Sequence, residues 1–353
     1  MSASHLPALP NRRRLLRVGL SLAAATLAVP SLRAQSRLEK PRLNLAVGGM
    51  ASLYYLPLAL AQQLDYFHAE GLEVNFTDFA GGSLAAAALA AGSVDLVGGG
   101  YEHTIAQRGR MAPLQSFVMF GRAPQIALGV SSRTMDGFRT LHQLRGKRIG
   151  VSAPGSSTEL VANLVLRGFG IAPADVHYVG VGTSGAALAA LRAGHIDAIS
   201  NVETVMTALQ QKGEVRVVAD TRSLTGSAAL FGGPMPAGCL YAPAEFVKKH
   251  PRTCQALADA VVHTLKWLRT AGPSDIIQNV PEPYLVGDRA MYLGAFNSVS
   301  ETYSLDGTLS DESARTAMRA VSILHPAVRN SRIDLQQTFT NEFARRARDR
   351  FRV

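Results

Sequence analysis

The chain has 353 residues, 47% of them hydrophobic and 18% charged, with two cysteines and a formal net charge of +10. That apolar content excludes a disordered chain and, at this length, predicts two cores of ordinary size. The basic excess is a weak pointer to nucleic acid: residues 1–34 carry Arg12, Arg13, Arg14, Arg17 and Arg33 with no acid, and the remainder has 31 basic against 26 acidic residues, a net +5.

Arg12-Arg13-Arg14-Leu15-Leu16-Arg17 has a twin-arginine export pattern, followed by an apolar run over 18–29, Pro30 and a small-residue site near Ala34. The run falls short of the roughly 20 apolar residues of a membrane span. Residues 1–34 are therefore read as a signal peptide cleaved near Ala34, with a retained anchor as the alternative. No cysteine lies near that site, which excludes a lipid anchor, and a freely soluble exported chain fits a Gram-negative periplasm. Export by the twin-arginine or the general route is left open.

Strand-like and helix-like runs then alternate. Strands are predicted over 43–47, 72–78 and 94–98, and helices over 53–68 and, after a Gly81-Gly82-Ser83 loop, up to Ala91. The order returns with strands over 148–152, 176–181 and 196–200 and helices over 156–169 and 184–193. Such alternation predicts parallel sheets with crossover helices. Leu89-Ala90-Ala91-Gly92-Ser93-Val94-Asp95 also matches Leu191-Arg192-Ala193-Gly194-His195-Ile196-Asp197 at an offset of 102. Two similar lobes explain this; convergence on helix–Gly–strand grammar is the alternative.

Strand-like runs over 116–120 and 125–131 flank Arg122-Ala123-Pro124, and the chain returns between 215 and 242. The predicted division is lobe 1 over 35–124 and 243–353, and lobe 2 over 125–242, joined by a two-segment hinge. A ligand cleft is expected at the C-terminal ends of the strands. Arg345, Arg346, Arg348, Arg350 and Arg352 read as the solvated face of a last helix, with no nucleic-acid module. Cys239 and Cys254 either pair in an oxidising compartment or stay as two buried thiols.

The order Ser52-Leu53-Tyr54-Tyr55-Leu56-Pro57-Leu58-Ala59-Leu60-Ala61, Asp65-Tyr66-Phe67, Glu70-Gly71-Leu72-Glu73-Val74, Gly81-Gly82-Ser83 and Ala91-Gly92-Ser93-Val94-Asp95 resembles the NMT1/THI5-like and sulfonate/nitrate/taurine substrate-binding proteins of ABC importers. Leu144-Arg145-Gly146-Lys147-Arg148-Ile149-Gly150-Val151, Ala153-Pro154-Gly155-Ser156-Ser157-Thr158 and the segment from Gly238-Cys239-Leu240-Tyr241-Ala242 past His250-Pro251 continue the likeness over most of the mature chain. The resemblance implies an α/β periplasmic-binding-protein type II fold. It also implies a periplasmic monomer that captures a small sulfonate-like organic anion by cleft closure and delivers it to a membrane permease with its ATPase. A thiamine-pyrimidine precursor or another heterocycle is the alternative ligand. A pyrimidine synthase of the THI5 branch is the less favoured alternative, because that enzyme resembles a cysteine-rich catalyst with a pyridoxal-phosphate Lys–His pair, and this chain has two distant cysteines.

Candidate ligand residues lie on loops expected to meet at the cleft. Gly155, Ser156, Ser157 and Thr158 open a helix whose free N–H groups and hydroxyls suit an anion, ordinary N-capping being the plain alternative. Gly82 and Ser83 are read as the equivalent loop of lobe 1, a plain βα turn being the alternative. Of Tyr54 and Tyr55, one is expected to face the cleft. Gly98-Gly99-Gly100 gives room beside Tyr101 and Glu102, although Glu102 also suits a helix N-terminus with no ligand role, while His103 reads as structural. Asn201 and Glu203 stand at the matching place in lobe 2, where they would bind an amine or hydroxyl. Phe231, before Gly232-Gly233-Pro234, is either an aromatic lid or part of a hinge turn. No nucleophile elbow, zinc spacing, phosphate loop or dinucleotide fingerprint appears, so no catalytic residue, metal or cofactor is expected.

Overall fold

The structure, a computed structural model, describes residues 38–107, 112–285 and 289–353. The expected signal peptide lies outside the described residues. Among the described residues, ten strands form two five-stranded sheets. The first contains β1 (Arg42–Val47), β2 (Glu73–Asp78), β3 (Leu96–Gly100), β4 (Leu114–Met119) and β10 (Gly238–Pro243), in the order β2-β1-β3-β10-β4. The second contains β5 (Ile126–Ser131), β6 (Arg148–Val151), β7 (His177–Gly180), β8 (Ala198–Val202) and β9 (Val215–Asp220), in the order β7-β6-β8-β5-β9. The two orders are the same once β6, β7 and β8 are set against β1, β2 and β3.

The sheets are mixed, not parallel throughout. β1 runs parallel to β2 and β3, and β6 to β7 and β8, but β10 is antiparallel to β3 and β4, and β5 to β8 and β9. The cause is the crossing itself. β5 follows β4 directly from the other sheet, and β10 comes back from β9 by way of the helix at Leu224–Phe231, so each enters its sheet from the cleft end and not by a crossover within that sheet. Gly238–Ala242 of β10, expected with lobe 2, therefore belongs to the first sheet.

The repeat has a structural job. Gly92 and Gly194 end their helices at φ +71° and +75°, where glycine is favoured. Three residues on, the Asp95 carboxylate accepts the Asn44 N–H at 3.0 Å, and Asp197 accepts the Arg148 N–H at 3.0 Å. Each aspartate thus ties the start of the neighbouring parallel strand. Arg148 adds side-chain bonds to Asp197, and Lys40 an ion pair to Asp95.

The helix expected over 53–68 is broken: a 3₁₀ turn at Leu53–Tyr55 leads into α1 (Leu56–Gln63), and Asp65 at φ 60° stops it before Tyr66–Ala69. Helices α2 (Gly82–Ala90), α3 (Glu102–Ala106), α4 (Ser157–Arg167), α5 (Gly185–Arg192), α6 (Val205–Gln211) and α7 (Leu224–Phe231) follow strands β2, β3, β6, β7, β8 and β9 in turn. α8 (Pro251–Leu268) packs on α1, and α9 (Asp311–Leu324) on α3 and α4. In α10 (Glu342–Phe351), Arg350 pairs with Glu70 and Asp259, and Arg346 with Glu342, so the late arginines are partly used within the chain. Cys239 and Cys254 are both free and buried. Burial pushes both thiols up, Cys254 to about 12. The pairing expectation thus gives way to two buried thiols.

Candidate functional site

The loops after β1, β2 and β3 meet those after β6, β7 and β8 at the C-terminal strand ends, the usual ligand position of an open α/β sheet. The first turns of α2 and α4 touch across this cleft. Ser83 N–H donates to Ser156 Oγ at 3.0 Å, Ser156 Oγ bonds Ser83 Oγ at 2.9 Å, and Ser83 Oγ donates to the Pro154 carbonyl at 2.8 Å. Ser156 stands at the N-cap of α4, yet its side chain makes no cap bond there. Its hydroxyl joins the two walls instead.

Sheet order corrects the pairing of loops. The Gly81-Gly82-Ser83 turn follows β2, whose counterpart is β7, so it matches Thr183-Ser184-Gly185. The Ala153–Thr158 loop follows β6, so it matches the β1 loop carrying Tyr54 and Tyr55. The offset of 102 already sets Thr183-Ser184 against Gly81-Gly82, a signal that would have found Thr183. Close approach explains the glycine at 81: an added Cβ would lie 2.8 Å from Ala153 Cβ and 2.9 Å from Ser152 Oγ.

Two small spaces lie inside the closed cleft. One, of about 20 Å³, is bordered by Tyr54, Tyr55, Gly82, Ser156, Ser157 and Thr158, together with Ser152 and Thr183, which sequence reasoning missed. The other, of about 10 Å³, is bordered by Tyr54, Glu102, Ser157, Phe231, Leu160 and Met235. Each has room for about one water, so a larger solute requires the walls to part. Tyr54 and Tyr55 both border the first space, with ring centroids 4.9 Å apart at 71°. Burial raises both phenols, with the Glu102 charge adding to it, so they act as neutral donors and apolar faces.

Glu102 is the one charged side chain bordering either space among the described residues. It is 6% exposed and accepts a hydrogen bond from Ser157 Oγ, which joins α3 to α4 across the cleft. The three preceding glycines make room inside lobe 1: a Cβ on Gly98 would strike Leu58, and one on Gly100 would strike the Glu102 carboxylate. His103 Nε2, buried beside Gly82, has no hydrogen-bond partner among the described residues.

Several expected contacts sit elsewhere. Tyr101 is fully buried, with its hydroxyl 2.6 Å from Thr338 Oγ1 and its ring edge-on to Phe339. Asn201 is fully buried and holds the cleft loop from behind, donating to the Gly182 carbonyl at 2.9 Å. Glu203, also fully buried, accepts from Arg222 Nη1 at 2.9 Å, in a network with Asp220 and Gln210. Thr158 Oγ1 accepts the Ser152 N–H at 3.0 Å, so its hydroxyl fixes the loop. Gly155 is exposed and gives its N–H to Glu159.

Comparison with known proteins places this geometry. The family model described as NMT1/THI5 like matches residues 52–271. The structure of a protein from Bordetella bronchiseptica RB50 superposes with a TM-score of 0.87 at 42% identity, over 90% of this chain and 100% of that one. The alkanesulfonate-binding protein SsuA from Xanthomonas axonopodis pv. citri, bound to MOPS, superposes with a TM-score of 0.63 at 20% identity, over 86% of this chain and 100% of that one. A 4-amino-5-hydroxymethyl-2-methylpyrimidine phosphate synthase of Schizosaccharomyces pombe is 27% identical over 216 residues, 60% of this chain and 61% of the synthase. The match thus spans less than two thirds of that relative's length. The α/β architecture of two mixed sheets around a cleft is the periplasmic-binding-protein fold.

Proposed function

The chain belongs to the NMT1/THI5-like family, and from that premise we propose that it is the periplasmic solute-binding component of an ABC importer, holding its ligand without transforming it. The observation that carries the reading is the Glu102–Ser157 contact, which sets an acceptor against the donor-rich N-terminus of α4 inside a cleft closed from both sides. The N–H groups of a helix's first turn, with the positive end of its dipole, favour an acceptor-rich group such as a sulfonate. Glu102 disfavours a bare anion and asks for an N–H donor or a cation. A compact solute with both ends, such as an aminosulfonate, satisfies the two walls together. Capture then proceeds by closure: the solute enters the open form, and its preference for the closed form shifts the population. The closed form docks on the permease that its ATPase drives, and the binding protein acts as a monomer.

A second ligand class has its own support. The faces of Tyr54 and Tyr55 and the Glu102 acceptor suit an amino-substituted heterocycle of the pyrimidine-precursor kind. The synthase reading has less: both cysteines are buried, with thiols pushed up by burial, which suits packing better than reactivity. Calorimetry with taurine, ethanesulfonate, nitrate and an aminopyrimidine separates the ligand classes. Taurine or the aminopyrimidine is expected to bind tighter than ethanesulfonate, and Ser157→Trp should abolish binding while leaving the far-ultraviolet spectrum unchanged. Ethanesulfonate binding as tightly as taurine would remove Glu102 from the ligand; unchanged affinity in S157W would remove the cleft.

A further inference from the structure

Behind the cleft lies a second concavity that the capture reading leaves unused. It is a groove of about 400 Å³ between α7, the returning segment Pro234–Pro236 and the loop that leads into α9. Its size falls within the range of small-molecule sites, about 300–1,000 Å³, against almost no space in the closed cleft. Leu224, Ala228, Met235, Leu305, Leu309 and Met119 give it an apolar lining. Leu305 remains 49% exposed, large for a leucine bordering a concavity.

Two polar residues border this apolar space. Ser227, on α7, borders the groove, is 2% exposed, and has a hydroxyl without a hydrogen-bond partner among the described residues. A buried hydroxyl without a partner is costly, and a ligand acceptor reached by rotation about χ1 would relieve it. Arg122, on the crossing from β4 to β5, also borders the groove. Its Nε donates to the Glu301 carbonyl at 3.1 Å, and its two terminal nitrogens have no partner among the described residues. A planar guanidinium with both ends open suits a carboxylate. The one acid on the rim, Asp306, is already engaged: one oxygen accepts the Thr308 N–H and hydroxyl, and the other faces Arg348 at 3.9 Å.

We propose that this groove is a second ligand site, for a small amphipathic carboxylate whose chain lies along Leu224, Leu305 and Leu309 and whose head meets Arg122 and Ser227. The site is separate from the cleft but adjacent to it, because Met235 and Pro236 border both the groove and the inner cleft space. Its walls also come from both sides of the crossing. α7 follows β9 of the second sheet, while the opposite loop is bonded to the first sheet through Ser304 N–H to the Phe120 carbonyl and Met119 N–H to the Gly307 carbonyl. An occupant therefore touches both walls beside the crossing strands, and by linkage its binding and cleft binding alter each other by the same factor.

The test is calorimetric titration of octanoate into the full mature chain. Saturable binding is expected in the wild type and in the cleft-blocked S157W variant alike. Ala228→Trp and Ser313→Trp, which fill the groove from opposite walls, should each abolish it, and Arg122→Gln should weaken it by roughly tenfold, as expected for a lost charge-assisted bond. Circular dichroism confirms that each variant is folded, and two independent fillings guard against one that is not. Absence of saturable octanoate binding in the wild type would overturn the proposal, as would its survival in both filled variants. Loss in S157W alone would place octanoate in the cleft and overturn it as well, while leaving the capture reading intact.

Discussion

Replacing Gly81 by alanine should hold the cleft open without destabilising either lobe. The Gly81 backbone is extended, at φ −170°, so alanine is tolerated there and only space is at issue. Its Cβ would stand 2.8 Å from Ala153 Cβ, 2.9 Å from Ala153 N and 2.9 Å from Ser152 Oγ. Carbon atoms prefer roughly 3.5–4.0 Å, so the walls must separate by roughly 0.7–1.2 Å at this point. Overpacking of this kind costs about 1–3 kcal/mol, and only the closed form bears it. That is a roughly five- to 150-fold shift toward the open form. The Ser83 amide reports it directly. It lies in the first turn of α2, where no intrahelical acceptor exists, and its bond is the one to Ser156 Oγ across the cleft. Hydrogen exchange at Ser83 should therefore quicken by that factor in G81A, while amides in β1 and β6 keep their wild-type rates. An unchanged Ser83 rate would refute the reasoning that Gly81 is small because the opposite wall touches it.

Other perturbations test the supports of the cleft. Asp197→Ala removes the carboxylate that ties β6 and pairs with Arg148, and should cost about 2 kcal/mol in denaturant unfolding near neutral pH, as for a charge-assisted bond. Burial raises the Asp197 carboxyl, but hydrogen bonds from Arg148 outweigh it and hold the group below 3.8. A depressed acid gives its stability above the unfolded value, so the wild-type advantage should be full above pH 4 and fade as pH falls through the lower folded value. An advantage that persists unchanged to the acid transition would contradict this. Arg222→Ala leaves Glu203 buried without its partner and should cost about 3–5 kcal/mol in the same assay. A loss under 1 kcal/mol would mean that the network holds little of the crossing together.

Much of the architecture was legible because strand signals are local. Every run read as a strand is one, within two residues at each end, since short β-branched runs bounded by glycine carry their own signature. The direction of β5 and β10 was not legible from runs alone, because direction depends on which end of a sheet the chain enters. The docking of residues 300–304 on the crossings was also hidden. There Arg122 N–H donates to the Thr302 carbonyl at 2.7 Å and Gln125 Nε2 to Thr302 Oγ1 at 2.8 Å. These partners are 177 or more positions apart, and neither end carries a motif.

The exchange of roles between Glu102 and Glu203 has a simpler cause. Both follow the last strand of a β-α-β-α-β run, and the sequence offered them as equals. β3 ends at Gly100 and β8 at Val202, equivalent positions by pairing register, since Leu96 faces Leu45 and Ala198 faces Ile149. Glu102 is therefore two residues past its strand and Glu203 one. Glu102 opens α3 after a helical Tyr101, whereas Glu203 lies before Thr204, the residue at φ 76° that precedes α6, so the one-residue difference sends the two carboxylates to different surroundings. One is delivered to the cleft beside Ser157, the other to Arg222 behind it. A pair of similar lobes thus yields a site with one acid, on the first lobe alone, facing the helix terminus of the second. The proposed capture of a two-ended solute would use that asymmetry, with its acceptor-rich end toward α4 and its donor toward Glu102.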